Sequence, residues 1–230
     1  MDHAKSSPPC ALCGSQRKLE QSHIIPQFVH RWAKETAGQD DMPAGLTRPM
    51  LCGGCEDLFS SFESEFARQV FHPLAAGHPL ATKYDAWLRK FAASVCWRIL
   101  HDDLAKSGLG HFHGRWAPEL AVCRETWQQY LRGKRPDVAG HHLHLVPRTA
   151  IASGEGTGLQ PVIEGEVVGT DHAAFVCANL GPVILIGLIA DLAPEPLQGT
   201  RINAEGKLKP RVVHIPVRYR DHLLSRRTRG

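Results

Sequence analysis

Two pairs of cysteines, each with two residues between its members, constrain the fold of this chain more than any other feature. Cys10 and Cys13 form the first pair, and Cys52 and Cys55 form the second, about 40 residues further on. Four thiolates complete the tetrahedral shell of a structural Zn²⁺, and each pair spans one edge of that tetrahedron. The spacing therefore predicts that these four cysteines bind a structural zinc ion.

A histidine lies between the two pairs, in the segment Ser22-His23-Ile24-Ile25-Pro26. A zinc ion held by four thiolates has no position open for a further ligand, so His23 requires a separate explanation. Either it has a role outside the zinc site, or it completes a Cys₃His site and leaves one cysteine free.

The order of these motifs, with Cys-Ala-Leu-Cys-Gly before the histidine segment and Leu-Cys-Gly-Gly-Cys-Glu after it, resembles the HNH, or ββα-metal, endonucleases. The resemblance covers about residues 8 to 70. It implies a zinc-stapled, HNH-like ββα-metal module over residues 1–75, in which His23 is the general base that activates water. It also implies that Glu56, at the start of the following helix, holds a catalytic Mg²⁺ or Mn²⁺ through oxygen.

Three positions depart from the pattern of that family. The residue before the base is usually an acidic or histidine metal ligand, whereas here it is Ser22, and a neutral hydroxyl binds hard cations weakly. The residue after the last cysteine is usually His or Asn, and here it is Glu56. The asparagine often found before the second pair is replaced near Thr47. The alternative hypothesis is therefore a catalytically inactive, zinc-stapled module that binds nucleic acid or a protein.

Basic residues indicate where nucleic acid, expected to be DNA, would bind. Arg17 and Lys18 lie near the turn before the histidine segment, and Arg48 shortly precedes the second cysteine pair. Residues 201–230 hold nine basic against two acidic residues, a net charge of +7 in a chain of net charge +4. Such a segment suits phosphate contacts, although a solvated tail has the same composition. The resemblance further implies a phage-related or host-defence nucleic-acid system, in which the C-terminal part docks a protein partner or gates the site.

The composition favours a soluble, cytoplasmic protein with one large or two small cores, since 43% of its 230 residues are hydrophobic. Three isolated cysteines beside the four paired ones fit a reducing compartment better than a disulfide framework. No N-terminal apolar segment resembles a signal peptide, and the longest apolar run is too short to span a bilayer, so no membrane partner is expected. Without a P-loop, a dinucleotide fingerprint or a GxSxG elbow, the sequence does not indicate nucleotide-dependent or serine-hydrolase chemistry.

The remaining periodicities predict an α+β fold. Residues 16–25 are expected to form a hairpin that carries His23, and residues 38–49 a loop. Helical patterns cover residues 27–36, 56–70, 84–104 and a stretch from Pro118, and strand patterns cover residues 142–146, 173–180, 183–189 and 211–217. After the N-terminal module we expect an α+β domain over residues 76–230, with a helical part at about 84–132, antiparallel strands at about 140–218 and a basic C-terminal tail.

Several other polar residues are weaker candidates for a site. Glu63 shares a helix face with Glu56, but seven residues separate their Cα atoms by about 10 Å, which is too far for one shared ion. Glu63 is therefore expected to be a helix-surface or salt-bridge residue, unless it orients another metal ligand. Arg98 falls within an apolar helix and needs a partner, because arginine is rarely buried alone. Four further histidines could bind metal or could simply lie on the surface, namely His72, His141, His142 and His144.

Overall fold

The computed structural model describes residues 8–37, 45–80, 82–107, 114–150, 163–191 and 199–208. Over these ranges the chain is a mixed α+β protein whose sheets are antiparallel. The predicted strand at residues 211–217 and most of the basic C-terminal tail lie outside the described residues. None of the helices in these ranges combines the length and the apolarity that crossing a bilayer requires.

The N-terminal part consists of two paired strands and two helices, which are β1 Leu19–His23, α1 Gln27–Ala37, β2 Thr47–Cys52 and α2 Gly53–Phe66. β1 pairs antiparallel with β2, and His23 lies opposite Thr47. The expected hairpin within residues 16–25 is therefore wrong, because β1 takes its hydrogen-bond partners from β2. The same pairing makes residues 47–49 part of a strand where a loop was expected.

The apolar stripe of α2 faces the core, as its helical spacing predicts. Phe59 and Phe66 are fully buried, and the helix continues through a π-helical turn, Ala67–Phe71, into α3, His72–Ala75. Phe66 stacks on Phe91 of the next long helix, with ring centroids 3.8 Å apart. Aromatic pairs of this kind contribute about 0.5–1.5 kcal/mol beyond the area that they bury. The stacking therefore fixes α2 against the helix that follows.

That helix, α4, Ala86–Ser107, lies at the centre of the molecule and follows a two-residue strand, β3, Lys83–Tyr84. α4 packs against α2 and against a second helix, α5, which spans Ala117–Leu131. It also packs against a four-stranded sheet. Its fully buried side chains include Leu88, Phe91, Val95, Trp97 and Leu100. Residues before and after position 75 belong to one apolar cluster. The division into two domains at residues 75 and 76 stays a prediction.

The four-stranded sheet has the strand order β4, β7, β6, β5. Its strands are β4 Leu143–Pro147, β5 Ile163–Gly169, β6 Ala173–Leu180 and β7 Val183–Asp191. β5 is missing from the sequence prediction because it contains two glutamates and two glycines, residue types that are depleted in strands. It is nevertheless a strand, since each of its residues is paired with β6 along the edge of the sheet. A short strand, β8, Gly206–Lys207, pairs with β3.

Candidate metal centre and the adjoining polar network

The four paired cysteines lie together, as their spacing predicts. Their sulfur atoms are all within 4.8 Å of one another, and Cys13 Sγ is 3.7 Å from Cys52 Sγ. A tetrahedral ion with metal–sulfur bonds of about 2.3 Å places its ligands about 3.8 Å apart. Cys10, Cys52 and Cys55 are buried, and Cys13 is half-buried. The cluster therefore has the donors and the spacing to bind a metal ion such as zinc, and it does so without a histidine.

The first cysteine pair is held in a tight turn against β2. The Gly14 amide donates to the Cys10 carbonyl at 2.8 Å, and Gly14 has a φ of 78°, a conformation that glycine adopts without strain. The Ala11 amide donates to the Met50 carbonyl at 2.9 Å, and the Cys52 amide donates to Cys10 Sγ at 3.3 Å. These bonds place the sulfurs of the first pair beside the end of β2.

The second cysteine pair joins β2 to α2. Cys52 is the last residue of β2 and precedes the first helical residue, while Cys55 lies in the first turn of α2. An ion on the four sulfurs would thus connect the N-terminal turn, β2 and α2 in one unit. The turn is also attached to α5, since Gln128 Nε2 donates to the Ala11 and Leu12 carbonyls, each at 2.8 Å.

The thiols of the cluster differ in acidity. The Ser15 hydroxyl, 3.2 Å from Cys13 Sγ, lowers the pKa of Cys13 to about 6, and Ser15 also lowers the pKa of Cys52. Burial raises the pKa of Cys55. Because the thiolate is the form that binds metal, a cation would displace the protons that remain at neutral pH.

A second polar contact adjoins the cysteine cluster. The Ser22 hydroxyl donates a hydrogen bond to Glu56 Oε1, and the Leu51 amide donates to Ser22 Oγ at 3.2 Å. Ser22 is fully buried within β1, whereas Glu56, in the first turn of α2, is half-buried. A carboxylate is favoured there by the helix dipole. The contact joins the end of β1 to the start of α2, one residue away from both His23 and Cys55.

His23 is the last residue of β1 and is half-buried. Adjacent side chains of a strand point to opposite faces, so His23 and Ser22 face different sides of β1. Among the described residues, none forms a hydrogen bond with the His23 imidazole. Burial lowers the pKa of His30 on α1, and the nearby His23 lowers it further. His30 is a neighbour of the site that the sequence did not identify, although it lies only seven positions after His23.

The backbone of His23 is held from α4. Arg98 Nη1 donates to the His23 carbonyl at 2.8 Å, and Arg98 Nη2 lies 2.6 Å from Glu63 Oε1. The guanidinium also lies over the Phe59 ring, 5.4 Å from its centroid. The Arg98 side chain is 2% exposed and that of Glu63 is 18% exposed. The partner that the sequence required for Arg98 is therefore Glu63, and the expected salt bridge of Glu63 is confirmed.

The predicted nucleic-acid-binding residues lie on the outside of this unit. Arg17 and Lys18 are exposed between the first cysteine pair and β1. Arg48 Nε donates to Asp102 of α4 at 2.9 Å, and its side chain remains 40% exposed. Lys106 pairs with the other carboxylate oxygen of Asp102, next to a cavity of about 420 Å³ between β2 and the end of α4. Binding of nucleic acid by these residues stays a prediction.

The remaining candidate histidines do not form a metal site among the described residues, where the four cysteines are the one group of three or more clustered ligands. His72 is exposed. His141 Nδ1 lies 2.9 Å from the Ile189 carbonyl, and His144 Nδ1 lies 3.0 Å from Thr200 Oγ1. His144 is also buried, so the expectation of an exposed strand face is wrong for this residue.

Compared with known proteins, the chain matches no family model, no curated protein and no solved structure.

Proposed function

We propose that this chain is a metal-dependent, HNH-type endonuclease that hydrolyses phosphodiester bonds in nucleic acid. The observation that carries the proposal is the hydrogen bond between Ser22 and Glu56. It brings the backbone of His23, the next residue of β1, near the helix start that carries a carboxylate, beside the four-cysteine cluster. Further support comes from the order of β1, β2 and α2, in which α1 is inserted between the two strands, with one cysteine pair before β1 and another across the β2–α2 junction.

In this proposal each residue of the site has a separate role. Cys10, Cys13, Cys52 and Cys55 would hold a structural zinc that takes no part in the reaction. Glu56 would hold Mg²⁺ or Mn²⁺, which when bound stabilises negative charge on the phosphate and the leaving oxygen. The Ser22 hydroxyl would orient the Glu56 carboxylate by donating to one of its oxygens. The His23 imidazole, without a protein hydrogen-bond partner among the described residues, would accept a proton from the attacking water.

Phosphate contacts would come from the exposed basic residues near the cysteine turn. Arg17 and Lys18 are exposed, and Arg48 retains exposed surface although it pairs with Asp102. Contacts of this type attract any nucleic acid, because they act on the backbone and carry no sequence information. DNA is the substrate that we propose to test first, and the C-terminal part is the proposed surface for a protein partner.

The second candidate function is a catalytically inactive module that binds nucleic acid or protein. It is favoured by Ser22, which is fully buried and already bonded to both Glu56 and the Leu51 amide. It is also favoured by the alternation of β1, because Glu56 bonds to Ser22 while the His23 side chain faces the other side of the strand. In that case the Ser22–Glu56 contact would stabilise the β1–α2 junction, and no second metal would bind.

The test is cleavage of plasmid and single-stranded DNA with and without Mg²⁺ or Mn²⁺, using His23→Ala, Glu56→Gln and the exposed control His72→Ala. Loss of a general base is expected to lower the cleavage rate by about 10²–10⁴-fold. Glu56→Gln keeps an acceptor for the Ser22 hydroxyl but removes the charge, so it should abolish the response to metal. The control should cleave like the wild type.

Bound zinc, measured by elemental analysis on the same samples, separates the alternatives. Unchanged zinc together with lost cleavage in His23→Ala supports the endonuclease. Simultaneous loss of zinc would make His23 structural. A wild-type protein that binds DNA in a gel-shift assay but cleaves none of the substrates would refute the enzyme and support the binding module.

A further inference from the structure

We propose that Arg98 is a positioning residue for this reaction, and the inference rests on the proposed function. From α4, outside the motif that resembles the HNH nucleases, it connects the two elements that carry the proposed general base and the proposed metal ligand. One guanidinium nitrogen, Nη1, donates to the His23 carbonyl at 2.8 Å. The other, Nη2, pairs with Glu63 at 2.6 Å.

The ion pair with Glu63 also constrains Glu56, because both residues belong to α2. The two residues are seven apart on α2, which is close to two full turns, so they lie on the same face of one rigid helix. Holding Glu63 therefore holds the face of α2 on which Glu56 lies. The same guanidinium fixes the last peptide of β1, from which the His23 side chain extends.

The chemistry of Arg98 argues against a role in stability alone. Its side chain is 2% exposed, and removing a charge from water is costly even when a partner is present. Packed apolar side chains of similar volume often stabilise a core as well as or better than a buried ion pair does. What arginine adds is a planar group with donors in fixed directions. Here two of those donors reach different elements, and the Phe59 ring restricts the plane of the group.

The expected consequence is precise geometry between His23 and Glu56, which lie on separate elements. General-base catalysis depends on this geometry, since a displacement of about 1 Å can lower a rate by about 10²-fold. Loss of Arg98 should therefore lower kcat strongly and change the affinity for substrate little. Arg98 is too deeply buried to contact nucleic acid itself.

The experiment compares Arg98→Lys, Arg98→Met and Glu63→Gln with the wild type, measuring kcat and KM for metal-dependent DNA cleavage. Lysine keeps the charge but cannot reach both partners in fixed directions. We expect kcat to fall about tenfold in Arg98→Lys and Glu63→Gln and about 100-fold in Arg98→Met, with KM changed less than about twofold. The matched control is Arg68→Met, which removes an exposed ion pair with Glu65 near the end of α2 and should leave kcat unchanged.

Zinc content and the far-ultraviolet circular dichroism of each variant identify samples that are folded at the assay temperature. If Arg98→Met does not fold, the milder Glu63→Gln decides the question. Folded variants of Arg98 and Glu63 with wild-type kcat would overturn the inference while leaving the endonuclease intact. A wild type without any metal-dependent cleavage would overturn the proposed function and this inference with it.

Discussion

Acid should destabilise the fold through His144, and the size of the effect follows from its surroundings. His144 lies on β4, is 7% exposed as a residue, and has Nδ1 3.0 Å from Thr200 Oγ1. Burial lowers the pKa of His144 to about 4, and the charges of His142 and Arg201 act in the same direction. The folded protein therefore keeps this imidazole neutral at a pH where the unfolded chain, with an ordinary pKa of about 6.5, already binds a proton.

The sign of the linkage follows from that difference. Because the unfolded chain binds the extra proton, the contribution of His144 to stability is complete above about pH 6.5 and is lost as the pH falls towards about 4. With one pKa unit equal to about 1.4 kcal/mol, the loss reaches about 2 kcal/mol at about pH 5 and about 3 kcal/mol at about pH 4. Below that range both states are protonated, and the contribution stays constant.

Urea unfolding at about pH 7 and about pH 5 measures this loss when the wild type is compared with His144→Gln. The variant retains a hydrogen-bonding group towards Thr200 but cannot bind the proton. Between the two pH values the free energy of unfolding of the wild type should fall by about 2 kcal/mol more than that of the variant. Acid sensitivity of the metal centre is common to both proteins and cancels. Exposed His172 supplies the control His172→Gln, and parallel curves for wild type and His144→Gln would refute the reasoning.

Three further outcomes are expected. Cys55→Ser should reduce bound zinc to well below one ion per chain by elemental analysis and lower the thermal midpoint, since a structural zinc contributes on the order of 10 kcal/mol. Gly181→Ala should cost about 2 kcal/mol or more in urea unfolding, because Gly181 has a φ of 83° and an added Cβ would overlap the Trp32 ring. Replacing Arg17 and Lys18 by alanine should weaken DNA binding evenly across sequences and reduce the salt dependence by about two charges.

The local parts of the candidate site could be predicted because their signals are local. The cysteine spacing alone predicts that Cys10, Cys13, Cys52 and Cys55 lie together, and the stripe of apolar residues predicts the buried face of α2. Similarly, the apolar runs at residues 173–180 and 183–189 predict the strands β6 and β7.

The pairings between distant segments could not be predicted in the same way. β1 pairs with β2, although α1 lies between them in the chain. The residue types at positions 16–25 do not indicate which segment β1 pairs with. Arg98 and Glu63 are 35 positions apart, so the sequence indicates that Arg98 needs a partner but not which one. β5 is a strand because it pairs with β6 and packs against α4, although its own residue types disfavour that conformation.

The Ser22–Glu56 contact is where the endonuclease and the binding module differ physically. A second acidic ligand in place of Ser22 would give a cation two negative charges, whereas this site offers one carboxylate and a neutral hydroxyl. A carboxylate that accepts a hydrogen bond through one oxygen can still bind a metal through the other, and such a donor fixes its direction. In the proposed endonuclease, serine at this position would therefore lower the charge of the metal site without removing the Glu56 ligand. Affinity for hard cations depends on the charge of the ligands. If the chain is an endonuclease, we therefore expect it to bind Mg²⁺ weakly on its own, and the substrate phosphate to supply further oxygen ligands.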